Sequence, residues 1–138
     1  VIRYLLDSTA VWRLQRSSPL NEAWAEEVEV GALGSCLPQR VEFRRSARRL
    51  AEFEAMSAIF DDLYPDVPVP ESAWRWIDPA QFRLATHGQH QSLSVTDWLI
   101  CATAAHRQLI VLHDDNDFRA VAQLLPDLQQ HNVHATPG

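Results

Sequence analysis

This sequence is short of the features that most often give a function away. Its 138 residues include only two cysteines, Cys36 and Cys101. They lie far apart in apolar runs with no C-x-x-C spacing, which argues against a disulfide framework or a thiolate zinc site and for buried thiols in a reducing cytoplasm. No stretch approaches the roughly 18 to 20 apolar residues of a membrane span, and Val1–Asp7 has no signal-peptide apolar region. A soluble, cytoplasmic protein with no membrane partner is expected, its leading Val1 following an omitted Met or a few residues. Repeats, low-complexity tracts and linkers are missing as well, so 46% hydrophobic and 22% charged residues predict one domain over residues 1–138. There is no basic excess: 12 basic against 18 acidic side chains leave a net charge of −6. A general nucleic-acid footprint is absent, and any polyanion must be held locally. The six histidines form no H-x-x-x-H pair, so a histidine-based zinc site is not expected.

What is present is an alternation. Val1–Leu6 reads as a buried strand ending at Asp7, and a helix follows through Ala10, Val11 and Leu14. After the polar break at Gln15–Asn21, a second helical piece covers Glu22–Glu27, and residues 31–38 read as another strand. One helix is predicted from Pro38 or Gln39 to about Leu63, on the apolar stripe Val41, Phe43, Ala47, Leu50, Ala58, Ile59 and Leu63. Val67-Pro68-Val69-Pro70 is a linker or an edge strand. A helix over Glu71–Leu84 is interrupted by Asp78-Pro79, the next runs from Ser94 to about His106, and Leu109–Leu112 is a doubly covered strand. Asp117–Leu125 is helical, and 132–135 makes a last strand. The pattern predicts an α/β fold, a mostly parallel central sheet of about five strands with helices on both faces. A ligand site is then expected at the carboxyl ends of the strands.

Acids collect at that rim. Asp7 ends the first strand, Asp115 and its neighbours follow Leu112, Glu42 follows the second strand, and Asp97 sits in the first turn of a helix. Two carboxylates about 4 Å apart repel by roughly 4 kcal/mol at an effective dielectric of 20, so such a cluster protonates, spreads or binds a cation. A hard Mg²⁺ or Mn²⁺ ion suits it and can activate water against a phosphodiester. Each acid also has a plain structural reading. Ser94-x-x-Asp97 is a capping box, Asp7 can serve a turn, Glu42 can be a solvated helix charge, and Asp115 or Asp117 can cap the following helix. Asp114–Asp117 is no calcium loop, because Arg119 and Leu125 stand where Gly and Glu are required. Arg44 with Arg48, and Arg45 with Arg49, form i,i+4 pairs, either a solvated face or a contact for phosphate or an acidic partner. Trp12, close behind Asp7, lines either the cleft or a dimer contact.

The order Leu5-Leu6-Asp7-Ser8-Thr9-Ala10, Glu42, Leu93–Ala104 around Asp97, and Val111–Phe118 resembles a PIN domain of the VapC toxin type across nearly the whole chain. The resemblance implies a Mg²⁺- or Mn²⁺-dependent endoribonuclease. It also implies the toxin half of a toxin–antitoxin pair, a homodimer inhibited by a cognate antitoxin whose tail fills the active-site groove. Carried over by position, Asp7, Glu42, Asp97 and Asp115 are the catalytic quartet, and Asp7, Asp97, Asp115 and Asp117 hold the metal. His113 and Asp114 depart from the family's usual Thr and basic residue, which leaves the choice among Asp114, Asp115 and Asp117 open. The expected function is hydrolysis of RNA phosphodiesters by metal-activated water, with Arg44, Arg45 or Arg48 positioning RNA or meeting the antitoxin. Two readings compete: a catalytically inactive binding module whose acids are caps, and a phosphotransfer fold. The latter would need an acid where Thr9 stands.

Overall fold

The structure, a computed structural model, describes residues 1–137. Its sheet contains β1 (Tyr4–Leu6), β2 (Leu33–Gly34), β3 (Ile110–His113) and β4 (Gln129–Asn132), all parallel, in the order β2-β1-β3-β4. Parallel strands need crossovers, and helices supply them on both faces. These are α1 (Ser8–Arg16), α2 (Ser18–Ala23), α3 (Ala25–Glu29), α4 (Leu37–Arg44), α5 (Leu50–Leu63), α6 (Ala73–Ala85), α7 (Val95–Arg107) and α8 (Asn116–Ala122). Side chains alternate across a strand. Leu5 and Val111 therefore enter one core with Ile77, Leu84, Trp98, Ile100 and Phe118, while Tyr4, Leu6 and Leu112 enter a second with Val11, Leu14, Trp24, Phe43 and Phe60.

The sheet has four strands rather than about five. The segment around Val67–Pro70 meets β2 through a single parallel bridge, Ser35 to Asp66, with Ser35 N–H donating to Pro65 O at 3.0 Å and Val67 N–H to Ser35 O at 2.9 Å. Pro68 and Pro70 have no N–H to continue the ladder. Gly34 permits the close approach: a Cβ there would meet Val67 Cγ2 at 2.6 Å, Ile2 Cγ2 at 3.0 Å and Pro65 O at 3.2 Å.

Other boundaries also moved. The long helix expected over 38–63 is two helices, broken at Arg45–Arg49. Phe43 O accepts from the Ser46 hydroxyl at 2.9 Å, ending α4, and the turn lets α5 fold back so that Phe43 and Phe60 meet edge-on at 5.4 Å. Tertiary aromatic contact thus overrides a continuous stripe. Conversely, α6 runs unbroken through Pro79. Pro79 is exposed, so water can satisfy the carbonyl it leaves free, while buried Ile77, Ala80 and Leu84 hold the helix down. The piece expected at Glu22–Glu27 is split at Trp24 into α2 and α3. The last strand lies at Gln129–Asn132, not 132–135, because backbone pairing with β3 rather than apolar pattern defines it.

Candidate active site

The carboxyl ends of β1 and β3 lie side by side, joined where Asp7 N–H donates to Leu112 O at 3.0 Å. Asp7 is the N-cap of α1: its Oδ1 accepts from Ala10 N–H at 2.9 Å and from the Thr9 hydroxyl at 2.7 Å. Thr9 Oγ1 accepts in turn from Asp114 N–H at 2.8 Å, tying the two strand ends together through side chains. Asp115 caps α8, its Oδ1 accepting from Asp117 N–H at 2.9 Å. Asp97 completes the capping box of α7: Ser94 Oγ accepts from Asp97 N–H at 3.1 Å, and Asp97 Oδ2 accepts from Ser94 N–H at 3.2 Å. Three of the acids therefore serve helix starts: the Asp97 capping box follows its local pattern, Asp115 rather than Asp117 caps α8, and Asp7, expected at a turn, caps α1. Among the described residues no hydrogen bond reaches Asp97 Oδ1 or Asp115 Oδ2, so each keeps an oxygen for another ligand.

The electrostatics show that these acids share one neighbourhood. Asp7 is only 3% exposed. Burial pushes its carboxyl up to about 7, against the bonds from Ala10 and Thr9, and the charges of Asp97 and Asp115 push the same way. Burial likewise raises Asp97 against its bonds with Ser94, with Glu42 and Asp115 adding to the rise. Beneath them the Cys101 thiol is buried and pushed well up by burial, then by Asp97 and Asp7. It is a neutral floor. Cys36 is also a buried free thiol.

The carboxylates do not form a closed cage. Among the described residues, no three His, Cys, Asp or Glu side chains stand together closely enough to hold a metal ion. Asp7, Asp97 and Asp115 are each drawn back onto a helix start, and like charges gain by spreading. The donor set still fits a hard divalent cation in kind: carboxylate oxygens only, one of them buried and costly to ionise without a positive neighbour.

Asp114 is occupied elsewhere. Its Oδ2 accepts from Arg13 Nε at 2.5 Å and meets His134 Nε2 at 3.2 Å. Burial works against it, but these two partners hold its carboxyl below the ordinary range. Asp117 is exposed on the first turn of α8. The arginine stripe expected on one helix is divided. Arg44 turns inward, donating to Arg40 O at 3.2 Å and to Ser57 Oγ at 3.3 Å. Arg45 ends α4, and Arg48 lies in the following turn, so the i,i+4 pairing is broken.

Several residues of the site carried no usable sequence signal. His113 is buried, its Nδ1 accepting from Asp115 N–H at 3.0 Å while its Nε2 lies 2.7 Å from Gln130 Oε1. This fixes an Nε2–H tautomer that orients the Asp115 turn, and burial lowers the imidazole's pKa. Gln39, one turn before Glu42, is fully buried and donates to Ser8 Oγ at 3.2 Å, while its Oε1 has no partner. A lone Gln in a helix stripe gives no hint of such a position.

A parallel β2-β1-β3-β4 sheet with helices on both faces, and acids following β1 and β3 and on α4 and α7, defines a class of nuclease-like α/β folds. The PIN domain family model matches residues 4–124, and the chain belongs to that family. Within it, the chain is 59% identical to ribonuclease VapC6 of Mycobacterium tuberculosis over 102 residues, 74% of this chain and 80% of that one. It is 32% identical to ribonuclease VapC2 of the same organism over 137 residues, covering 98% and 96%. The fold matches VapBC2 from Rickettsia felis bound to a promoter DNA fragment, with a TM-score of 0.77 at 11% identity over 95% and 98% of the two chains. It also matches VapBC-5 from M. tuberculosis, with a TM-score of 0.65 at 21% identity over 96% and 99%.

Proposed function

We propose that this protein is an endoribonuclease, the toxin component of a toxin–antitoxin pair, and that it hydrolyses RNA phosphodiester bonds. The observation that carries the proposal is that the buried Asp7 feels the charges of Asp97 and Asp115, and Asp97 those of Glu42 and Asp115, at the carboxyl ends of β1 and β3. The relatives named ribonuclease VapC support it.

Asp7, Asp97 and Asp115 would hold a Mg²⁺ or Mn²⁺ ion, with the exposed Asp117 beside them as a further oxygen donor. Bound there, the ion would supply charge for the phosphate oxygens and a more acidic water. Thr9 and Ala10 N–H fix Asp7, the capping box fixes Asp97, and His113 fixes the turn bearing Asp115, so the donors are oriented before substrate arrives. Glu42, half-buried on α4, orients the attacking water and receives its proton.

The cognate antitoxin is expected over a groove of about 710 Å³ lined by Leu37, Val41, Leu99, Arg40, Arg45 and Glu42. Its apolar walls and arginines suit an apolar segment carrying acids, and Arg45, Arg48 and Arg49 are exposed at and just after the end of the Glu42 helix. The two-arginine entrance also suits RNA phosphates. A homodimer is part of the same reading, supported by Trp74 and Phe82, 59% and 74% exposed on α6. No helix among the described residues is long and apolar enough to cross a membrane.

Incubating the full chain with structured RNAs in Mg²⁺ or Mn²⁺, with and without EDTA, tests the activity. Cleavage is expected to stop with EDTA and with Asp97→Asn. Cleavage that survives both would refute the mechanism.

A further inference from the structure

One face of α1 leads directly away from the acids. Thr9, Trp12, Arg13 and Arg16 follow one another at helical spacing and, with Asp114, line a depression of about 220 Å³. Their opposite numbers Ala10, Val11 and Leu14 are buried, so this face is what α1 turns outward. It is tied to the site twice. At its start the Thr9 hydroxyl donates to Asp7 Oδ1 at 2.7 Å. At its middle the Trp12 ring stacks on Phe43, the residue after Glu42, with ring centres 4.3 Å apart and planes 33° from parallel. The Arg16 guanidinium lies 4.1 Å over the Trp12 ring. Trp12 is thus backed by Phe43 and faced by Arg16, and the outermost layer of the stack is a cation. Asp114, the acid lining the depression among the described residues, is already matched by Arg13 and His134, and among those residues Arg16 has no acidic partner.

We propose that this face is a seat for a nucleotide of the RNA strand next to the scissile bond, its base stacking on the Arg16 guanidinium that Trp12 holds in place. The proposal rests on the ribonuclease reading above. Arginine planes and aromatic rings are the usual platforms for unstacked bases in single-stranded RNA. A guanidinium already laid against an indole loses less freedom on binding than a free side chain. The net charge of −6 makes a local cation–aromatic seat more important, because an acidic chain must hold a polyanion at particular cations rather than over its whole surface.

The test uses the full chain and a short single-stranded RNA of mixed sequence. Binding is followed by fluorescence anisotropy in EDTA, and cleavage is followed separately in Mg²⁺ or Mn²⁺. Arg16→Ala is expected to weaken binding about tenfold. Arg16→Lys keeps the charge but not the plane, so it should retain the salt dependence of binding without recovering the affinity. An abasic site at the seated position should weaken wild-type binding and leave the Arg16→Ala affinity unchanged. Trp12→Ala also empties the contact with Phe43, so the two Arg16 variants, both at the surface, carry the decision. If wild type cleaves RNA while both variants bind like it, the seat is refuted and the ribonuclease reading stands. If wild type neither binds nor cleaves, both fall. If the variants lose only inhibition by the antitoxin, the face belongs to the protein partner and the proposal is overturned.

Discussion

Asp7→Asn is expected to make the metal-free protein more stable above neutral pH, although it removes a residue of the proposed machinery. Asp7 is 3% exposed, and burial moves its carboxyl from an ordinary 3.8 to about 7. A raised folded-state pKa favours folding while the group is protonated. That advantage is complete below about 3.8 and is lost as pH rises to about 7. At about 1.4 kcal/mol for each tenfold change, the folded protein gives up about 4 kcal/mol over that window. Asn has nearly the same shape, can still accept from Ala10 N–H, and does not ionise. Its amide must share the Thr9 hydroxyl, so the net gain for Asp7→Asn at pH 8 is expected to be about 1–3 kcal/mol. At pH 4 the order should reverse, wild type being the more stable by about 1–3 kcal/mol, because its carboxyl is protonated in the fold and it keeps the Thr9 bond. The assay is urea or thermal denaturation in EDTA at a series of pH values. Adding Mn²⁺ at pH 8 should raise the midpoint of wild type much more than that of Asp7→Asn, since a ligand selective for the folded state stabilises it. An Asp7→Asn protein no more stable than wild type at pH 8, or an advantage that does not shrink toward pH 4, would refute the reasoning.

Ser94→Ala removes one half of the α7 capping box and should cost about 1 kcal/mol, with cleavage falling further than stability because Asp97 is no longer held, as parallel melts and RNA-cleavage rates would show. Asp114→Asn frees Arg13 and His134 but removes no proposed ligand. RNA cleavage should stay near wild type, and melts should show a loss within the 0–1 kcal/mol usual for surface ion pairs, about 1 at most. Gly34→Ala places a Cβ 2.6 Å from Val67 Cγ2 with backbone at 3.2 Å. Denaturation should report a loss of about 1–3 kcal/mol as the 65–67 segment is pushed off β2.

The chain itself determined a good deal. Apolar runs ending in acids and a capping box just before an apolar helix are local patterns, and local patterns dictate local structure. The α/β alternation, the capping box at Asp97, a cap at Asp115 or Asp117 and the shared direction of β1 and β3 could all be read without coordinates, because parallel strands must end on the same rim. Tertiary structure decided what depends on distant partners. The stripe over 38–63 became two helices because Phe43 packs on Phe60, and the arginines were separated with it. The polar strand Gln129–Asn132 exists because β3 offers it a backbone to pair with. Asp114 was set apart from Asp115 by Arg13 and His134, 101 and 20 residues away in sequence. The buried roles of His113 and Gln39, and the stack of Arg16 on Trp12 on Phe43, likewise arise only where separate elements meet. Spacing along a chain records which side chains share a helix or strand face, whereas burial, charge pairing and stacking are set by what the fold brings against that face.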